Sequence, residues 1–373
     1  MKRILHISKY YLPNYGGIEQ VAYDIVSGLK DEYEQMVICF NHEKGSNKDY
    51  FNDILVHRVG YLIKIASQAM SLKYYFILRK IILDFKPDII YIHLPNPLIT
   101  FYLLFCDLKN KKIIIHWHSD IIDQKYLKLL YKPIQNIVLN IANIIYVTSP
   151  DYKNESNDLK KYFNKIKILP NVVNEDKFIL NEKNITNINR IKQIYGEKIL
   201  FFLGRHIPYK GIEYIIKAAP FINKKAKIII AGDGPLTLKL KEMAKGMDNI
   251  IFLGKITNEE VKEYMHSAYL FLFPSITKNE AFGVAMAEAL YCGVATVGFK
   301  IKGSGVNWVN QDGITGFMVE NRNLNQFIEK INILIENEEL RNNFSHNAKK
   351  WIAQNFKKDL VINQLKYDLN NLF

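Results

Sequence analysis

Two carboxylates frame one short segment of this chain in a way that suits a phosphorylated, hydroxyl-rich ligand. Glu280 and Glu288 stand on either side of Ala281-Phe282-Gly283-Val284, shortly after the apolar run that ends in Phe273-Pro274-Ser275. A helix starting near Phe282 leaves its first N–H groups without intrahelical acceptors. The amides of Phe282, Gly283 and Val284 can then hold phosphate oxygens. Glu280 projects from the loop before that helix and Glu288 lies more than a turn inside it, so the two acids can do different work. One can accept from sugar hydroxyls and the other from ribose hydroxyls, and the residues alone leave open which does which.

Cations stand ready upstream. Gly204-Arg205 is followed, after four intervening residues, by Lys210-Gly211, again where an apolar run gives way to a helical pattern. Arg offers a planar fork and Lys a mobile point charge, and together with helix-start amides they suit a departing diphosphate. Gly16-Gly17 opens the first helical pattern, where missing side chains let the backbone approach an anion; a simple turn would look the same, and GxGxxG is absent. In His116-Trp117-His118-Ser119-Asp120 the two histidines share one face of an extended segment. That spacing suggests a metal pair, yet no carboxylate follows at a ligand's spacing. His118 therefore reads as a hydrogen-bonding group and His116 as structural. Gly232-Asp233-Gly234-Pro235 reads as a tight turn held by its Asp.

These residues need rigid elements to position them. Arg3 to Ser8 reads as a strand, and Ile18, Val21, Ala22, Ile25, Val26 and Leu29 repeat at helical spacing. The same rhythm returns in strands at Asp88 to His93, Lys112 to His116 and Asn143 to Ser149. A second series follows at Lys198 to Leu203, Lys227 to Ala231, Asn249 to Leu253 and Tyr269 to Phe273. Two doubly wound α/β units in tandem account for it, with ligands expected at the carboxyl ends of the strands. The Asn- and Lys-rich stretch from Asn181 to Ile194 reads as a solvated hinge. This predicts domains at 1–182 and 183–355, with 356–373 as a final helix, part of an aromatic run from Trp351 through Phe356 to Tyr367 and Phe373.

Composition bounds the rest. A chain of 373 residues with 49% hydrophobic residues is long enough for two cores. Cys39, Cys106 and Cys292 have neither metal-ligand nor disulfide-framework spacing and read as small buried hydrophobes. The net charge of +13 fits nucleic acid, an anionic membrane or a phosphorylated substrate. The basic residues are spread over both halves without a nucleic-acid-binding signature, so no nucleic-acid partner is expected. Tyr61 to Ile82 and Lys125 to Ile141 mix basic with apolar residues as interfacial helices do, and sheet-covering helices with basic outer faces would read alike. The start, MKRILHISKY, reads as a first strand and no spanning segment is evident, so a cytoplasmic address is expected, with peripheral attachment to the inner membrane face.

Taken in order, Gly16-Gly17, HWHSD, Pro170-Asn171, GRHIPYKG and the Glu280 to Glu288 pair resemble glycosyltransferase family 4 through most of the chain. The resemblance implies a GT-B fold: two facing Rossmann-like domains, an acceptor side first and a donor side second, with a C-terminal helix crossing back to the first. It implies retaining transfer of a hexose from a GDP- or UDP-sugar co-substrate. By this resemblance Arg205 and Lys210 neutralise the donor diphosphate, Glu280 binds the donor sugar, Glu288 the ribose, and His118 sits near the reacting sugar carbon. Val172 departs from the Asn-Gly many members carry after Pro, which removes any contact that needs that glycine. HWHSDIIDQKYLKLLYKP is similar to a subgroup that builds bacterial surface polysaccharide, including O-antigen mannosyl- and rhamnosyltransferases. That implies a glycan acceptor such as an undecaprenyl-diphosphate-linked intermediate. No acidic pair stands at a strand end and two cations are available, so no metal or other cofactor is expected. The competing expectations are a nucleotide-sugar epimerase or phosphorylase on the same architecture, and a non-catalytic membrane-binding protein.

Overall fold

Runs of Ile, Leu, Val and Phe only four to eight residues long are too short for most helices and too apolar for a surface strand. They become the inner strands of parallel sheets whose two faces are both covered. The structure, a computed structural model, describes residues 1–13, 16–65, 68–120 and 125–373. Two compact units emerge, Met1–Val172 with Lys358–Phe373, and Val173–Lys357.

The first unit runs β1 (Lys2–Ile7), α1 (Gly17–Leu29), β2 (Tyr33–Phe40), β3 (Asn47–Phe51), β4 (Ile54–Val59), β5 (Ile63–Ile65), β6 (Gln68–Met70), α2 (Leu72–Phe85), β7 (Ile89–Leu94), α3 (Pro97–Leu103), β8 (Lys112–Trp117), α4 (Lys125–Ile141), β9 (Ile144–Val147), α5 (Pro150–Glu155) and β10 (Ile166–Ile168). Its main sheet has the order β10-β9-β8-β7-β1-β2-β4-β3, parallel except where β3 meets β4. The order reverses between β1 and β7, which opens a crevice at their carboxyl ends.

The second unit runs α6 (Glu182–Tyr195), β11 (Ile199–Leu203), α7 (Ile212–Ala218), β12 (Lys227–Ala231), α8 (Thr237–Met243), β13 (Ile250–Gly254), α9 (Asn258–Ser267), β14 (Leu270–Phe273), α10 (Val284–Tyr291), β15 (Thr296–Phe299), α11 (Val306–Val309), β16 (Gly316–Val319), α12 (Leu324–Glu336) and α13 (Glu338–Asn355). Its parallel sheet has the order β13-β12-β11-β14-β15-β16, with the reversal between β11 and β14. The chain then returns to the first unit as α14 (Lys358–Asn370).

Three expectations need correction. The supposed hinge at Asn181 to Ile194 is helix α6. Asn181 accepts from the Asn184 amide at 2.9 Å while Asn184 accepts back from Asn181 N at 3.2 Å, and this reciprocal cap starts the helix. Asn184 and Asn187 then donate to Glu263 on α9, at 3.0 and 2.8 Å. The polar residues that look like a linker are caps and helix–helix hydrogen bonds, and the first boundary falls at 172/173. The closing aromatic run is also two helices, with the second boundary at 357/358. Phe356, which lies between them in sequence, is fully buried and packs edge-on against Trp308 (4.8 Å) and Phe282 (5.4 Å), whereas Tyr367 and Phe373 are exposed. Finally, Tyr61 to Ile82 comprises the β5–β6 hairpin followed by α2.

The last helix completes the first core. Val361, Ile362, Leu365 and Leu369 join Ile4, Val21, Ile25 and Leu29 in one cluster, and Gly28 on α1 lets Ile362 approach. Asp368, almost wholly buried, accepts from Tyr146 Oη at 3.0 Å and Lys167 Nζ at 2.7 Å.

Candidate functional site

In the second unit the candidate residues lie on the loops that follow the two strands flanking the reversal. Arg205 and Lys210 follow β11; Glu280 and the start of α10 follow β14. Tight backbone packing fixes the loops. Gly211 has φ +63°, and a Cβ there would lie 2.1 Å from the Pro274 carbonyl oxygen. Ile276 N donates to Tyr209 O at 2.9 Å, so the turn carrying Lys210 is clamped to the loop carrying Glu280. Gly232 has φ +118° and a Cβ there would sit 1.9 Å from Gly204 O, so the Gly-Asp-Gly turn abuts the Arg205 loop. Asp233 holds that turn by accepting from Gly234 N (2.7 Å) and Thr237 Oγ1 (2.6 Å).

Lys210 Nζ donates to Glu280 Oε2 as an ion pair, both side chains nearly buried. Burial is the largest single influence and works against the Lys210 charge, but the Glu280 carboxylate and the Tyr209 phenol together outweigh it, and the ammonium pKa is raised above its ordinary value. Ser275 Oγ donates to the same carboxylate oxygen at 3.0 Å, and Ser304 Oγ donates to the Glu280 carbonyl. Gly305 N donates to Ala281 O at 2.8 Å, so the loop after β15 holds the backbone before α10. Arg205 is exposed and close enough that its charge opposes that of Lys210.

Helix α10 begins two residues later than expected. Gly283 is its N-cap at φ +86°, a left-handed conformation that disfavours a side chain, and its Cβ would press on the Phe273 ring at 3.1 Å. The first helical bond runs from Ala287 N to Gly283 O. The amides without intrahelical acceptors are therefore those of Gly283, Val284, Ala285 and Met286; Gly283 and Val284 are among those expected, and Phe282 falls before the cap. Phe282 is a core residue. Glu288, half-buried, sits on the second turn of α10.

In the first unit Gly16 caps α1 in extended conformation and Gly17 begins it; a Cβ on Gly17 would meet nothing within 4 Å. Neither glycine is needed for the backbone angle, so what they provide is clearance at the helix start. Tyr15 lies outside the described residues. His118 follows β8, with its amide on Leu94 O at 2.9 Å and its ring on His93, Nε2 to Nδ1, at 2.9 Å. Burial pushes its pKa down to about 3, so it is a neutral imidazole at neutral pH. Trp117 Nε1 and Ser156 Oγ both donate to Asp120 Oδ1, at 3.0 and 2.9 Å, which anchors the turn beyond His118. His116, also neutral through burial, meets Tyr91 Oη at 3.1 Å.

Residues 15–177 match the family described as Glycosyltransferase Family 4, and residues 184–351 match Glycosyl transferases group 1. The chain belongs to these glycosyltransferases. The transferase is 29% identical to an O-antigen chain mannosyltransferase C of Escherichia coli, covering 96% of each chain. It is 27% identical to the D-rhamnosyltransferase WbpZ of Pseudomonas aeruginosa, covering 85% of this chain and 82% of that one. Among solved structures, Anabaena HepE in complex with UDP and glucose superposes with TM-score 0.81 over the whole of both chains at 17% identity, which establishes the shared GT-B fold. Sequence reasoning about this transferase missed His93, Ser275 and Ser304, because each reaches its site through strand pairing or loop packing and has no motif spacing. Cys39 and Cys292 are buried free thiols, as expected; Cys106 is half-buried.

Proposed function

We propose that this enzyme moves a hexose with retention from a GDP- or UDP-sugar to a hydroxyl of a lipid-linked glycan, an O-antigen or capsule intermediate, without a metal ion. The observation that carries the reading is the Lys210–Glu280 pair beside the α10 start, within the field of Arg205. A cation and a carboxylate in contact suit a ligand in which a diphosphate adjoins a sugar. The relatives named for O-antigen mannosyl and D-rhamnosyl transfer, and HepE with UDP and glucose, support the donor class and acceptor.

In the reaction the bond from the anomeric carbon to the diphosphate oxygen breaks as an acceptor hydroxyl oxygen bonds that carbon from the same face. The acceptor's proton leaves with the nucleoside diphosphate. Arg205, Lys210 and the amides of Gly283 to Met286 stabilise the charge that grows on the leaving phosphate. Glu280 accepts from donor-sugar hydroxyls and Glu288 from the ribose; the roles assigned by family likeness are clearance for the diphosphate at Gly16 and Gly17, and a hydrogen-bonding group toward the reacting sugar in the neutral His118 ring. Activity should persist in excess EDTA, and loss restored by added magnesium or manganese would remove metal independence. The product's anomeric configuration, read by NMR, should match the donor's. An inverted product would remove retention.

Peripheral membrane attachment has support in the first unit. Leu72, Phe76 and Leu83 on α2, Phe101 on α3, Phe105 just beyond it, and Leu129 and Leu130 on α4 are exposed apolar side chains beside Lys73, Arg79 and Lys80. These helices pack α2 on α3 and α3 on α4. No helix among the described residues is long and apolar enough to cross a membrane. Flotation with anionic liposomes should be lost when Lys73, Arg79 and Lys80 are replaced by Ala; unchanged flotation would count against the face.

A further inference from the structure

Parallel pairing in the first sheet brings together histidines that are distant in sequence. His116 and His118 are two apart on the segment leaving β8, so they share a face, and β7 is registered so that His93 lies directly opposite His116. The three rings form a stack: His116 and His118 have centroids 4.3 Å apart and planes within 10°, and His93 lies 5.2 Å from His118. One ring nitrogen from each of the three falls within 4.8 Å of the others. All three rings are buried and held neutral, the form in which imidazole offers a lone pair. Nε2 of His93 and Nε2 of His116 have no hydrogen-bond partner among the described residues. An orphaned buried nitrogen is costly, and two in one cluster call for a shared ligand.

We infer that His93, His116 and His118 bind a single transition-metal ion of the zinc class, and that its occupancy withdraws His118 from catalysis. Three imidazoles with an open fourth position for water are an established zinc arrangement, with metal–nitrogen distances of about 2.0–2.1 Å. Ligation draws nitrogens that already lie within 4.8 Å to the roughly 3.4 Å that this geometry implies, and it turns the stacked rings out of parallel so that each in-plane lone pair points at the one ion. His116 also has a partner for its far side. With Nε2 on the metal, Nδ1–H donates to Tyr91 Oη, fixing the tautomer that ligation requires. His118 exchanges its bond to His93 for the metal, and its lone pair is no longer open to the sugar. The inhibitory half of the inference rests on the role proposed for His118 above; the binding half does not.

The binding test uses the metal-free full-length protein. Equilibrium dialysis with Co2+ should give one tightly held ion per chain and the visible ligand-field band of four-coordinate cobalt. Both should be lost in His93→Ala and in His116→Ala. Absence of the band, or binding unchanged in these variants, would overturn the site. If the variants fail to fold, X-ray absorption on the zinc-loaded parent decides: an imidazole shell near about 2.0 Å supports the site, and an oxygen-only shell overturns it. In the turnover assay, zinc at the occupancy measured by dialysis should inhibit and a chelator should restore the rate. Full turnover at full occupancy would overturn the regulatory half. The dialysis and absorption measurements need no turnover, so they stand even where the transferase reading fails.

Discussion

Lys210 and Glu280 each hold the other's charge in a place water hardly reaches. Removing either partner should leave the other ion stranded. Lys210→Ala and Glu280→Ala are each expected to destabilise the protein by roughly 3 kcal/mol, and the double variant by clearly less than the sum. Urea unfolding of the three variants measures this; additive losses would mean the pair is not coupled. Turnover should fall about 10²-fold in each, since one oriented charge at a leaving group is worth that much, and Arg205→Ala should lose a comparable factor without the stability cost. Near-normal rates in all three would remove the site assignment. Much of this was legible in the sequence, because Glu280, Arg205 and Lys210 are chemistry-bearing types at strand ends. The Phe282 amide was misplaced because the helix start is set by Gly283 at φ +86°, and a left-handed cap is visible only in the backbone.

The strands β1, β7 and β8, with the residue that follows β8, carry a stripe of histidines, His6, His93, His116 and His118, and burial shifts all four the same way. His6 falls to about 4 and His118 to about 3, with His93 and His116 well below the usual 6.5. A histidine that stays neutral when folded but protonates when unfolded contributes its full stability above pH 6.5. That contribution is lost as the pH falls toward the folded pKa, by up to about 1.4 kcal/mol per pH unit for each ring. In EDTA-treated protein the urea midpoint should drop steeply from pH 7 to 5, and His6→Gln should make the drop shallower. A flat profile would mean the rings are not held neutral. The sequence disclosed the His116 and His118 spacing but not His93, since strand register is a tertiary fact. The opposite error occurred at α6, where Asn and Lys content suggested a linker. Asn181 and Asn184 in fact cap each other, and composition alone could not tell a cap from a loop.

On the scale of the whole chain, the tandem α/β rhythm gave the architecture, while the unit boundaries depended on packing that no local signal carries. Gly28 is the clearest case. A Cβ there would lie 2.6 Å from Ile362, so Gly28→Val should push α14 off α1 and cost roughly 1–3 kcal/mol. Hydrogen exchange should show the loss in the first unit while α10 to α13 stay protected; uniform protection would mean α14 is dispensable. The dependence of that core on α14 also sets an order of events on the ribosome. Residues 173–357 hold everything their own core requires and can fold as soon as they emerge. The amino-terminal unit, although made first, completes its core only when Ile362 and Leu365 arrive.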